Sequence, residues 1–398
     1  MSKKIMILGA SILQLPAIQK AKEMGLQVVA VDMNPQAIGF REDGIIREII
    51  STIDISAVVE AAKRNRIDGV MTLASDMPMC TVAVVAKELD LVGITDDTAL
   101  KATNKVEMRK ALFEYGVPVP RFFQVSNRVE YDKAVGCFTV PVIVKPADNS
   151  GSRGIYEISD LTDRQAIHDV YKYSKASSRN GDVVVEEYMK GPEVSVETLT
   201  VDGACHVIQI TDKLTTGAPH FVEMGHSQPT QLDAQMVAEI ERVTIAANKA
   251  IGITNGPSHT EIIVTDEGPK IVELGARLGG DCITTHLVPL STGVDIVKCS
   301  IQIALGEECD WNAKWAKGSA IRYFESHKGR LITIDGLNEV HAVEGFVEVD
   351  VVKKKGQEIN NIESSTDRVG FVIAQGDNAM AAIGSCNMAL TKIRVVID

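Results

Sequence analysis

The period of the apolar pattern changes near residue 95, and that change limits the fold more than any other feature of the chain. Before it, Lys4 to Leu8 reads as a strand, Ile12 to Met24 as a helix stopped by Gly25, and Val28 to Val31 as a second strand ending at Asp32. A helix near Ser56 to Asn65, a strand at Gly69 to Leu73, a helix at Met79 to Leu89 and a short strand at Leu91 to Ile94 follow. Strands alternating with helices over short connections predict a doubly wound parallel sheet over residues 1–95. After it, Asp96 to Tyr115 reads as one helix, closed by Gly116-Val117-Pro118-Val119-Pro120. Strands then dominate, with Asp202-Gly203 and Asp266-Glu267-Gly268 as hairpin turns, so antiparallel sheets are expected. The expected units are an α/β domain at 1–95, a nucleotide-binding region at 96–310 with a subdomain at about 118–187, and an α+β subdomain at 311–398.

Composition narrows the partners. Lys and Arg number 41 against 53 Asp and Glu, a net charge of −12, and such a surface repels nucleic acid and anionic membranes. The apolar runs are a handful of residues, against the roughly 20 of a spanning helix. With no leader pattern at Met1 to Gly9 and seven scattered cysteines, a cytoplasmic enzyme acting on small molecules is expected, its thiols reduced. The turn after Gly9 lacks the second and third glycines of a dinucleotide fingerprint, so a nicotinamide-dependent oxidoreductase is a minor alternative.

The richest segment runs from His259 to Arg277. With Asp266-Glu267-Gly268 as its turn, Val264 is expected opposite Lys270, Ile263 opposite Ile271, and Glu261 opposite Glu273. Facing side chains stand about 5 Å apart, where like charges repel. Two carboxylates without thiolate or clustered imidazole suit a hard cation shared with phosphates, and Arg277 could neutralise anionic oxygens. A solvent-facing Glu pair is the plainer reading. Pro141 to Lys145 is a strand ending in lysine before Asp148-Asn149-Ser150-Gly151-Ser152-Arg153-Gly154, a loop whose amides could approach a polyphosphate, or an ordinary surface turn. Because the lysine precedes the glycines, it is no Walker A sequence. Val183 to Glu187, Tyr188-Met189 and Gly191-Pro192-Glu193 bring carboxylates and backbone groups together, as an adenosine site or an acidic strand end.

In this order the pieces, with the lysine of Asn104-Lys105, resemble the ATP-grasp superfamily of carboxylate-amine ligases over most of the chain. The resemblance implies that Lys105 and Lys145 bind ATP phosphates and that the loop holding Ser150, Gly151 and Gly154 closes over them. It further implies that Glu186 and Met189 contact adenine, Glu193 the ribose, Glu261 and Glu273 Mg²⁺ (Mn²⁺ being the alternative cation), and Arg277 the acyl-phosphate region. Many members carry Asn two residues after the second metal Glu; here Gly275 stands there. The run Glu273-Leu-Gly-Ala-Arg277-Leu-Gly-Gly-Asp281 is more similar to the amino-acid ligases and purine-pathway members than to D-alanine ligases. In amino-acid ligases a segment like Glu223-Met-Gly-His226-Ser-Gln-Pro229 lies by the acceptor pocket, which gives Glu223 and His226 a substrate role and His226 a catalytic one. His259, two residues from Glu261 in a strand, and Arg322, a cation in an apolar strand, are further substrate candidates. The expected activity is ADP-forming ligation of a carboxylate to an amine through an acyl phosphate, on an amino acid, by a homodimer. The alternatives are a phosphoribosyl-substrate enzyme of purine synthesis and a catalytically silent ATP-binding module.

Overall fold

A computed structural model describes residues 2–149 and 153–398. Strands Ile46–Glu48, Gln27–Val31, Lys4–Leu8 and Gly69–Met71 lie side by side, all parallel. Ile5, Met6, Ile7 and Leu8 are all fully buried, as continuous apolar strands must be when both faces of a sheet are covered. Helices Leu15–Glu23, Ile55–Asn65 and Met79–Glu88 complete this unit. Asp32, which outlined a ribose-binding acid, accepts from the backbone of Ala10 at 2.9 Å and so closes its own turn. Leu91 to Ile94 is irregular chain, and no strand forms there. The helix expected from Asp96 to Tyr115 is two, Asp96–Thr103 and Lys105–Glu114. The break is Asn104, whose side chain accepts from the amides of Val106 and Glu107, the geometry of an N-cap. Lys105 thereby opens a helix, and Arg109 follows on the same face four residues later.

Strands Phe122–Val125, Val183–Glu187, Val142–Pro146 and Tyr156–Ile158 form a second sheet, antiparallel. One face, with Val142, Val144, Val183 and Val185, packs with Tyr131, Phe138 and Tyr171. Alternation turns Lys145 and Glu186 to the other face.

The third sheet has eight antiparallel strands in the order Gly268–Gly275, Gly256–Thr265, Glu193–Val201, Ala204–Thr215, Glu223–Gln228, Gly318–Tyr323, Gly370–Gly376 and Phe346–Val351. The last three come from the segment beyond residue 311, so both regions share one sheet. Helix Ala234–Ile251 covers one face through Ile240, Val243 and Ala247 against Val194, Val196, Ile262 and Leu274. Helix Ala379–Leu390 covers the same face further along, packing Ala382 and Cys386 on Ala320, Phe324 and Val372. The opposite face carries the charged residues described next. No single helix among the described residues is long and apolar enough to cross a membrane.

Candidate active site

Glu261 does lie opposite Glu273. Toward the turn the register differs from expectation by one: Ile262 faces Ile271, Ile263 faces Lys270 and Val264 faces Pro269. Val272 is the extra residue of a bulge, and a bulge frees a backbone group that then needs a partner. Its carbonyl accepts from Arg109 Nη2 at 2.6 Å.

The opposed carboxylates do not share one cation. Glu273 takes Lys105 Nζ at 2.7 Å. Glu261 has Lys213 Nζ at 3.4 Å and His259 Nε2 at 3.5 Å. Burial pulls the His259 pKa down, but the fully buried Glu197 bonded to Nδ1 outweighs it and lifts the imidazole to about 9. Glu261 moves well below the carboxylate range: burial raises it, while Lys213 and His259 lower it more.

Lys213 was not among the residues singled out from sequence. Its ammonium is 4% exposed and gathers Glu193 at 2.5 Å, Glu261 at 3.4 Å and Glu223 at 3.6 Å. Burial alone would lower its pKa, but three carboxylates push it well above the ordinary value. Glu193 is raised, by burial first and then by its acidic neighbours, because one ammonium serves three anions. Gly191 holds Glu193 there: at φ +153° a Cβ would stand 1.9 Å from the Val264 carbonyl, so only glycine lets this turn seat against the hairpin.

Glu186 is enclosed. Arg109 Nε reaches one oxygen at 2.7 Å and Nη2 the other at 3.2 Å, and Lys145 Nζ adds a contact at 2.7 Å. Burial favours the neutral acid, yet the two cations hold its pKa to about 2. Both oxygens are thus committed, so the side chain is no free acceptor for an adenine edge. Lys145 is lowered, by burial first and by Arg109 and Lys105 nearby. Met189, also buried, follows this strand.

Arg277 pairs with Asp76 of the parallel-sheet unit at 2.8 and 3.0 Å. Its pKa rises because Asp76 and Glu273 overcome burial. Gly275 leaves the room for this pair, since a Cβ there would stand 2.8 Å from Asp76 Oδ1. The Glu223 to Pro229 segment forms strand Glu223–Gln228. Its His226 points to the charged face, with Nε2 3.4 Å from Asp281 and Nδ1 buried without a partner among the described residues. Arg368 clamps Asp281 with two bonds of 2.7 Å. Gly154 lies behind the second sheet, its carbonyl accepting from Ser174 Oγ at 2.6 Å; Ser150 and Gly151 fall outside the described residues. Arg322 is not brought to this cluster. It pairs with Gly225 while Ile321 pairs with His226, and alternation places Arg322 on the opposite face.

The described residues contain no group of three or more His, Cys, Asp or Glu able to hold a metal. Glu261 and Glu273 nevertheless fit a hard cation that takes its other ligands from phosphate and water, being oxygen donors 24% and 26% exposed at the edge of an otherwise buried cluster.

Residues 138–285 match the ATP-grasp domain, and residues 322–398 match the L-amino acid ligase C-terminal domain 2. The chain is 27% identical over 314 residues to the uncharacterized protein y4rH of Sinorhizobium fredii, covering 78% of this chain and 65% of that protein. It is 24% identical over 322 residues to an L-arginine-specific L-amino acid ligase of Bacillus subtilis, covering 79% and 76%. An L-amino acid ligase structure from Bacillus licheniformis superposes with a TM-score of 0.87 at 22% identity, over 100% of this chain and 99% of that one.

Proposed function

Since this chain carries an ATP-grasp domain followed by an L-amino acid ligase C-terminal domain, we propose that it is an ADP-forming carboxylate-amine ligase acting on an amino acid. The terminal phosphoryl group of ATP passes to a carboxylate oxygen as its bond to ADP breaks. The amine then attacks the acyl carbon, a C–N bond forms, phosphate leaves and the amine loses a proton. Such chemistry asks for placement and charge neutralisation, with no nucleophilic side chain.

The observation that carries this reading is the convergence of four cations, Lys105, Lys145, Lys213 and Arg277, on carboxylates drawn from two sheets and from the turn before helix Met79–Glu88. Lys105 and Lys145 would meet phosphate oxygens, with Glu186 holding Lys145 in place. Glu261 and Glu273 would hold Mg²⁺, which neutralises phosphate charge when bound. Glu193 and Met189 would border the nucleoside, and Arg277 the acyl phosphate. Beyond Arg277, Gly280, Asp281, Tyr323, Arg368 and Phe371 help line a pocket of about 270 Å³. It has room for an amino-acid side chain, and its Asp281 is the partner of His226 Nε2. The relatives named as L-amino acid ligases support the substrate class.

Phosphate release with Mg·ATP, measured over pairs of amino acids, tests the proposal. Release should require two amino acids together, with a dipeptide as product. ATP turnover that no pair of carboxylate and amine accelerates would overturn it.

A further inference from the structure

Against helix Ala379–Leu390, where the Ala204–Thr215 and Gly318–Tyr323 strands end, lies a cleft of about 1010 Å³, which Tyr323 divides from the amino-acid pocket by lining both. Leu214, Met224, Ile362, Leu390 and Val395 give it apolar patches, set among polar residues such as Thr215, Thr216 and Thr391. Arg322 is set into its wall. Nη1 donates to the carbonyls of His226 at 3.0 Å and Ile321 at 2.9 Å, while Nε and Nη2 have no partner among the described residues. The position is built for the guanidinium: Gly225 faces it across the strands, and a Cβ there would stand 2.7 Å from Arg322 Cδ.

No carboxylate forms an ion pair with it among the described residues; Asp212 acts on it only from longer range, its oxygens accepting from Thr230 and Gln231. Arg277 and Arg368, each paired with an aspartate, have raised pKa values, whereas burial lowers that of Arg322. A half-buried cation without a direct ion-pair partner is costly to keep. A second group in the same wall is also unmatched: Ser326 Oγ is buried with no hydrogen-bond partner among the described residues.

We propose that this cleft is a binding site, separate from the catalytic one, for a molecule bearing one carboxylate on an apolar body, such as an α-amino acid or short peptide. The free Nε and Nη2 edge of Arg322 has the two-donor geometry that matches a carboxylate. A single cation in this mixed wall suits a monoanion, whereas a phosphate would call for further cations. Glu325, the one carboxylate lining the cleft, forms no ion pair among the described residues and is available to an α-ammonium. Because Arg322 also holds the His226 carbonyl, an occupant would touch the strand whose other face belongs to the active site.

Calorimetric titration of the full chain without nucleotide tests this, using leucyl-leucine, leucyl-leucinamide and inorganic phosphate as probes. Leucyl-leucine should bind, and the amide should bind roughly tenfold or more weaker, as expected on losing a charge-assisted contact. Arg322→Gln should weaken the dipeptide by a similar factor, and Arg277→Ala should leave it unchanged. Asn387→Trp, at an exposed helix position lining the cleft, should block binding without removing any partner of Arg322. The site is wrong if wild type does not bind the dipeptide, if both cleft variants bind it normally, or if acid and amide bind equally. Loss in Arg277→Ala alone assigns the dipeptide to the catalytic cleft, and displacement by phosphate overturns the carboxylate assignment. None of these readings depends on ligase turnover.

Discussion

Two charge clusters at the candidate site are mirror images. In one, the anion Glu186 sits between the cations Arg109 and Lys145; in the other, the cation Lys213 sits among Glu193, Glu223 and Glu261. They differ in access. The side chains around Glu186 are 1–4% exposed, whereas the carboxylates around Lys213 are 16–24% exposed. The closed cluster holds its one anion between two cations and so fixes the attitude of a lysine. The open one carries more negative charge than its lysine can match, at a surface where a second cation can arrive.

If that contrast holds, the closed cluster should govern stability. Glu186→Gln leaves two buried cations facing a neutral group, and chemical denaturation should show a loss of about 3–5 kcal/mol. The pH dependence has a definite sign: a carboxylate held from 4.5 down to about 2 contributes stability fully above pH 4.5 and loses it as pH falls toward 2. A wild-type acid-unfolding profile that the variant merely reproduces would break the comparison.

The open cluster, with Glu273 facing its Glu261 across the hairpin, should govern turnover. Glu273→Gln should cut kcat roughly a hundredfold or more, the scale for loss of one preorganised electrostatic partner, while metal-free ATP still binds. Near-normal turnover would remove the paired-carboxylate site. Lys145→Ala should be milder, because Glu186 keeps Arg109: about a tenfold rise in the apparent constant for ATP, the scale of one charge-assisted contact, with little change in melting temperature. An unchanged ATP dependence would put the phosphates elsewhere. Smallest of all should be Glu267→Ala, which breaks a pair with Lys270 at a carboxylate 78% exposed, where solvent screens the charges. Its melting curve should overlay that of wild type, and a clear shift would show that exposure does not rank these pairs.

The strands and the facing of Glu261 by Glu273 were legible because alternation and a glycine turn are local signals. The bulge at Val272 was not, because the donor that makes it tolerable, Arg109, lies 163 residues earlier. Asn104 could have been read as a cap, being a strong N-cap type before Lys105 and Glu107. Glu223 to Gln228 has no β-branched residue, and its extended form is imposed by the strands on either side. Lys213 left one trace, a lone cation in an alternating strand, but its three anions come from strands that only the sheet order brings together. Asp76 left none.

That last residue bears on how such chains can be recombined. Asp76 lies in the turn before helix Met79–Glu88, outside the ATP-grasp match, yet it neutralises the arginine that follows the Glu261–Glu273 hairpin. The amino-terminal unit is therefore not an interchangeable cassette. Grafting the remainder onto another parallel-sheet unit would strand Arg277 without its counter-charge unless the new turn also delivered an acid to the space that Gly275 leaves open.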